Sequence, residues 1–296
     1  MNIEQYLAEQ KTKVDQALLH CFAEESAIPA SLKEAMEYSL KAGGKRVRPI
    51  LAMASCEAVG GTPQAVMPLA CALEMIHTFS LIHDDLPAMD NDNFRRGLPT
   101  NHKVFGEGIA VLAGDGLLAQ AFHLLCKPTL LDCISPSGLL EIMRDVAWAT
   151  GPSGMVGGQS LDLKAEGAHL DETALEKLHR YKTGRLISVS VTSGAKVGGA
   201  TPEQLESLKS YGEKVGLAFQ IADDVLNVEG DAAALGKSVG SDAVNKKSTY
   251  PSLLGLEASK QKARTLMAQA IAALEIFDAR AEPLRKIAEY IVVRKN

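Results

Sequence analysis

Phe79-Ser-Leu-Ile-His-Asp-Asp-Leu-Pro-Ala-Met-Asp90, followed by Arg95-Arg96-Gly97, is the stretch on which the reading of this chain turns. It places Asp84, Asp85 and Asp90 at the end of one of the most apolar runs in the sequence. Ionised carboxylates beside a buried helix are costly unless a cation meets them. They also repel one another, and a helix C-terminus disfavours negative charge, so an ordinary acidic loop explains them poorly. A hard divalent cation is the simplest partner. Mg²⁺ takes one or two protein carboxylates and completes its shell with water and phosphate oxygens. Arg95 and Arg96 would then face phosphate. The preceding run, Thr62 to Ile82, reads as a helix with Thr62 as N-cap and Pro63 in its first turn. Pro87 stops that helix near Leu86, and the resulting loop is what can bring Asp90 back beside Asp84.

The rest of the chain reads as helix after helix. Helical periodicity covers about 3–22, then a helix from Ser31, where Ser31-Leu-Lys-Glu34 has the form of a capping box. Further helices are expected up to about Val59 and near 107–126, 136–150, 172–197, 201–228, 257–275 and 282–294. Gly151-Pro-Ser-Gly-Met-Val-Gly-Gly158 reads as a helix break. Alternating β-branched runs are nearly absent, and no repeat or low-complexity linker appears. The expectation is an all-α chain, one domain over 1–296, with the most apolar helices innermost.

Composition narrows the function. The 296 residues are 46% hydrophobic, enough for a large core, and the net charge of −5 argues against nucleic acid as a partner. Five cysteines (Cys21, Cys56, Cys71, Cys126, Cys133) without CxxC spacing read as reduced core thiols. No signal-like apolar core opens the chain and no uncharged run looks long enough to span a membrane, which points to a cytoplasmic protein.

A second acidic cluster, Asp223-Asp224-Val-Leu-Asn227, closes the 201–228 helix. Asp223 and Asn227 share a face there, with Gln220 one turn earlier. Cations stand in matching places: Lys45 and Arg48 after Gly43-Gly44, Arg95 and Arg96, Lys182 in a small apolar neighbourhood, and Lys237 and Lys247. His77 lies two turns before Asp84 on the same face. The two acidic clusters read as opposite jaws of one site. Gly230 to Ser238 resembles a phosphate-binding GxxxxGK[ST] loop, but it has five residues between the glycines and follows a helix, so nucleotide binding is rejected.

These residues carry a resemblance. GGKRVRP, LIHDDLPAMDNDNFRRG, GGQSLDL, KTG, FQIADD and KKSTYP occur in the order seen in trans-isoprenyl diphosphate synthases, and the likeness runs from about residue 30 to the end. It is greatest to the bacterial farnesyl diphosphate synthases. The resemblance implies an all-α bundle around a deep cavity, a homodimer, and three Mg²⁺ ions per active site, with Mn²⁺ as an acceptable substitute. It implies that Asp84 and Asp90 ligate two ions and Asp223 the third, with Asp85 and Asp224 in support. It assigns Arg95, Lys182 and Lys237 to the allylic diphosphate, and Lys45, Arg48, His77 and Arg96 to isopentenyl diphosphate. Gln159 and Asp162 would orient the basic residues, and Arg294-Lys295 is similar to a basic tail that closes the site. The reaction implied is condensation of isopentenyl diphosphate with an allylic diphosphate, the cation being faced by Thr183, the Lys182 carbonyl and Gln220.

Phe79, five residues before Asp84, lies about 7.5 Å deeper along the helix. With Ser80 leaving room on the Asp84 face, Phe79 reads as a cavity floor limiting the product to fifteen carbons. A longer, twenty-carbon product is the alternative. Asn227 departs from the family pattern, where a third aspartate is usual.

Overall fold

A computed structural model describes residues 1–22, 27–165, 167–229 and 248–293. The described chain runs α1 (Ile3–His20), α2 (Ala30–Lys41), α3 (Val47–Ala58), α4 (Met67–Asp84), β1 (Phe94–Arg95), β2 (Leu98–Pro99), α5 (Asn101–Phe105), α6 (Glu107–Leu125), α7 (Pro128–Leu131), α8 (Pro136–Thr150) and α9 (Met155–Ala165). It continues with α10 (Glu172–His179), a π segment (Arg180–Gly184), α11 (Arg185–Val197), α12 (Pro202–Glu229), α13 (Tyr250–Leu254), α14 (Leu256–Ala272), a 3₁₀ turn (Ala279–Ala281) and α15 (Glu282–Val293). The fold is all-α, as the periodicity predicts.

Helix α4 is the axis. Its residues from Leu69 to Ile76 are buried without interruption, because α6 lies along one side while α3, α2 and α1 cover others. Helix α11 lies between α3, α8 and α12, and α14 and α15 close over α12 and α3. One apolar core gathers around α4 and α6, and a second where α3, α11, α12, α14 and α15 meet.

Several local expectations are corrected. Residues 63–66 form turns, so α4 begins at Met67 with Pro68 in its first turn, four residues later than the Thr62-Pro63 signal suggests. Helix α2 is preceded by Pro29 and has no side-chain cap, which puts Ser31 inside the helix. Thr201 and Gln204 do form the reciprocal capping box at the start of α12, at 2.9 and 3.2 Å. The glycine-rich stretch is already helical from Met155. The long 172–197 element is interrupted by the π segment, the one-residue widening that frequently marks functional sites.

A two-residue antiparallel ladder, Phe94↔Pro99 and Arg95↔Leu98, follows the acidic loop. Its turn residues Arg96 and Gly97 have φ of 54° and 79°, the paired left-handed conformation of a tight hairpin turn. Cys126 and Cys133 are exposed, so only Cys56 and Cys71 are core thiols, with Cys21 intermediate. The stretch Glu107–Leu131 is long and apolar enough to cross a membrane by length and composition, although Asp115 and Lys127 interrupt it, so no uncharged run of that length exists there. In the fold its α6 portion packs along α4, and its other side exposes Val111 and Leu112.

Candidate active site

The first acidic cluster is shaped by the end of α4. Asp84 is the last helical residue and Asp85 the cap; past Pro87 the chain turns back, so that the Asp90 N–H donates to the Asp84 carbonyl at 2.9 Å. Asn91, at φ 51°, donates to the Leu86 carbonyl at 3.1 Å and locks the loop. Asp84 and Asp90 are thus adjacent. Burial, the largest effect, pushes the Asp84 carboxyl above the ordinary carboxylate range; Lys182 opposes this, while Asp90 adds to it. Asp85 turns away from the loop and is buried. It accepts from Arg95 Nε at 2.7 and 2.8 Å, and Arg95 Nη2 lies 2.5 Å from Oδ1. That bidentate pair clamps the hairpin to the helix end and leaves Arg95 oriented beside the site.

The Gly43-Gly44 pair is a seat for the second arginine. Arg96 donates to the Gly43 carbonyl. Gly44 has φ of 126°, and a Cβ there would fall 2.5 Å from Arg96 Cζ. A side chain there would be strained by that φ and would displace the Arg96 guanidinium. Next comes Arg46, absent from the sequence-based set. It is left-handed (φ 51°) and 3% exposed. It donates to Asp15 at 2.7 Å, to Glu74 at 2.6 Å and to the Leu40 carbonyl at 2.6 Å. This buried knot fixes the strand of chain between Lys45, which is exposed, and Arg48, which is buried. The signal for it was Glu74, the one acidic residue between Met67 and Ile82, which needs a cation wherever that helix is buried.

Arg48 has an unpaired buried Nε, and burial pushes its guanidinium down to about 10, with Arg96 adding to the effect. Asp223 on α12 acts on Arg48 in the opposite direction, so the end of α12 is within electrostatic reach of Arg48. Burial, followed by Arg48, Arg96, Arg95 and Arg46, drives His77 well below its ordinary value, so His77 is neutral at neutral pH.

The opposite wall is built on the π segment. Lys182 Nζ donates to Asp162 Oδ2 of α9 at 2.6 Å, and Thr183 Oγ1 donates to Gln220 Oε1 at 2.9 Å. Helix α9 comes this close because of Gly158: a Cβ there would collide with the Lys182 backbone. Both polar atoms of the Gln159 side chain are buried without hydrogen-bond partners. Asp224 is buried and already bonded, accepting from Gln220 at 3.3 Å and from the Tyr250 N–H at 3.0 Å. Asp223 and Asn227 are half-buried on the same helix end.

A cavity of about 380 Å³ brings these parts together. Arg48, His77, Phe79, Ser80, Asp84, Gln159, Lys182 and Thr183 all line it. Phe79 is buried and meets His83 edge-on, with ring centroids 5.1 Å apart. Ser80 turns its hydroxyl back onto the His77 carbonyl at 2.8 Å, so the helix face beside Phe79 is small. A larger open groove of about 970 Å³ lies on the outer face of the π segment, over Tyr181, Arg185 and Trp148, and holds neither acidic cluster. Lys237, Lys247, the Gly230 to Ser238 loop and Arg294-Lys295 lie outside the described residues.

The donor set suits a hard cation. Among the described residues no three carboxylate, histidine or cysteine side chains converge into a ready-made ligand shell. Half-buried Asp84 beside Asp90 is instead a partial shell, of the kind that Mg²⁺ completes with phosphate and water.

The polyprenyl synthetase family pattern matches residues 29–287. A farnesyl diphosphate synthase of Geobacillus stearothermophilus is 48% identical over 296 residues, covering 100% of this chain and 99% of that one. A geranylgeranyl diphosphate synthase of Cyanophora paradoxa is 46% identical over 298 residues, with 100% and 97% covered. Among solved structures, a synthase of Zymomonas mobilis described as FPP/GFPP synthase superposes with a TM-score of 0.87 at 38% identity, with 99% of each chain covered. Because the match spans nearly the whole fold and takes in both acidic clusters, the chain belongs to the polyprenyl synthetase family.

Proposed function

We propose that this chain, acting as one catalytic domain, condenses isopentenyl diphosphate with dimethylallyl or geranyl diphosphate to give (E,E)-farnesyl diphosphate and diphosphate. The observation that carries the reading is the single cavity in which Asp84, Lys182 and Thr183 stand at the polar mouth and Phe79 lies buried along the wall.

Prenyl synthases of this family use divalent metal ions; we take the ion to be Mg²⁺, three per site, held by Asp84, Asp90 and Asp223. When bound, it supplies positive charge that stabilises diphosphate as a leaving group. Lys182, oriented by Asp162, and Arg95, oriented by Asp85, bind the allylic diphosphate, with Lys237 as a third cation. Arg48, Arg96 and Lys45 bind isopentenyl diphosphate. His77, being neutral, serves there as a hydrogen-bond partner. The allylic C–O bond breaks and its electron pair leaves with diphosphate. The Thr183 hydroxyl oxygen, held by Gln220, and the Lys182 carbonyl face the allylic cation that remains. The isopentenyl double bond attacks that carbon, and the proton then lost passes to diphosphate. The apolar lining excludes the water that would otherwise capture the cation.

The exposed apolar side of α6 supports a homodimer, and the water-soluble diphosphates suit a cytoplasmic enzyme. The aromatic at Phe79 favours fifteen carbons over twenty. The test is an assay with labelled isopentenyl diphosphate and either allylic partner, with products sized by chromatography. A C15 product abolished by EDTA is expected. A C20 product would retain the reaction and remove the floor, and no condensation with either partner would sink the assignment.

A further inference from the structure

The π segment is held at two points, and the condensation scheme above leaves one of them, on the His179 side, unused. At its leading edge stands His179, the last residue of α10, which is buried. Its ring stacks on Tyr250, with centroids 5.6 Å apart and planes at 21°. Its Nε2 has no hydrogen-bond partner and faces Asp224 Oδ2 at 3.5 Å. That same oxygen accepts the Tyr250 N–H at 3.0 Å. From inside the segment, Thr183 donates to Gln220, whose amide donates to the other Asp224 oxygen at 3.3 Å. Asp224 is therefore the centre of a closed circuit. It reaches the π segment twice, through His179 on one side and through Gln220 and Thr183 on the other, and it fixes α13 as well.

Tyr250 is braced by a cation too. Lys262 Nζ lies 4.8 Å from the ring centroid and is itself paired with Glu172 and Glu176 of α10. Helix α10 is thus tied to one aromatic ring twice, directly through His179 and through Lys262. A π turn has poorer geometry than the α-helix around it and persists where its surroundings hold it. Lys182 and Thr183 project from that turn into the cavity.

We propose that His179 is a positioning residue. Its ring, seated on Tyr250 and facing Asp224, holds the π segment against the acidic end of α12, so that Lys182 and Thr183 meet the allylic diphosphate in register with Asp223. The proposal rests on the function assigned above. It makes a selective claim, because the isopentenyl side of the cavity is built from α3, α4 and the hairpin and does not touch this circuit.

The experiment compares the wild type with His179→Phe, which keeps a stacking ring and loses the nitrogen facing Asp224, and with His179→Gln. His179→Asn is carried alongside in case the phenylalanine variant does not fold. Each is measured by initial rates with the two substrates varied separately, by unfolding temperature, and by hydrogen–deuterium exchange of peptides covering 180–184. His179→Phe should lower kcat about tenfold or more and raise the allylic KM several-fold, with the isopentenyl KM within about twofold of wild type. His179→Gln should recover part of the loss, and the unfolding temperature should not move. Wild-type rates in His179→Phe, or an equal rise in both KM values, would overturn the proposal. If the wild type itself shows no condensation, the functional assignment fails and exchange decides the positioning. Faster exchange at 180–184 in His179→Phe would retain it, and unchanged exchange would end it.

Discussion

At the residue scale, burial decides what each charged group does. Asp84 and Asp85 are neighbours in sequence, yet Asp85 is consumed by Arg95 while Asp84 lines the cavity. His77 is neutral first because it is withdrawn from water and then because four arginines repel its proton. Its depressed folded value means that the unfolded chain takes up this proton first. His77 therefore contributes stability that is present above the ordinary value of 6.5 and lost as pH falls from there toward the folded value. Unfolding free energies measured between pH 5 and 8 should show that decline, and His77→Gln should flatten it; an unaltered slope would mean that another group is responsible. Phe79 makes a steric prediction. Phe79→Ala removes the ring edge against His83 and deepens the cavity, so chromatography should show products longer than fifteen carbons, and an unchanged product would place the floor elsewhere.

At the element scale, the loop from Gly43 to Arg48 works because something buried holds it. Arg46 and Glu74 are 2% and 1% exposed and 2.6 Å apart, with Asp15 and the Leu40 carbonyl completing the set. Arg46→Met leaves Glu74 as an unpaired buried charge and should cost about 3–5 kcal/mol in urea unfolding. The double variant Arg46→Met/Glu74→Leu should recover most of that stability. If the single variant costs as little as an exposed pair, under about 1 kcal/mol, the knot does not hold the loop. The π segment shows a related dependence on packing. Its position between α9 and α12 needs Gly158 on one side, and hydrogen bonds through Gln220 on the other.

At the scale of the whole molecule, α6 is the element left unfinished. One side packs on α4, and the other exposes Val111 and Leu112 at 39% and 53%. An apolar helix face in water calls for a partner, and in the homodimer proposed above a second copy of this chain would supply an identical face about a two-fold axis. Light scattering at micromolar concentration should show the wild type as the proposed dimer and Leu112→Glu as monomers; a variant dimer that persists would place the interface on another surface, and a monomeric wild type would sink the dimer. The variant leaves the core side of α6 untouched, so the helical content should not change.

Much of this was legible along the chain, since it depends on local chemistry. Helix periodicity, the stop at Pro87 and the return of Asp90 toward Asp84 follow from apolar spacing and from proline's missing N–H. The Thr201 capping box follows from side chains three residues apart. The starts of α2 and α4 were misplaced because capping signals at Ser31 and Thr62 compete with tertiary packing, which won in both helices. The two-residue hairpin was too short to show any alternation, and the π turn has no sequence period of its own. Arg46–Glu74, Arg95–Asp85 and His179 facing Asp224 join residues 28, 10 and 45 positions apart. Sequence alone determined the all-α fold and the two acidic clusters, because residue type and spacing suffice for those. Which carboxylates face the cavity and which are spent on neighbours was decided only by the tertiary structure, because burial and long-range pairing exist only once the helices have packed.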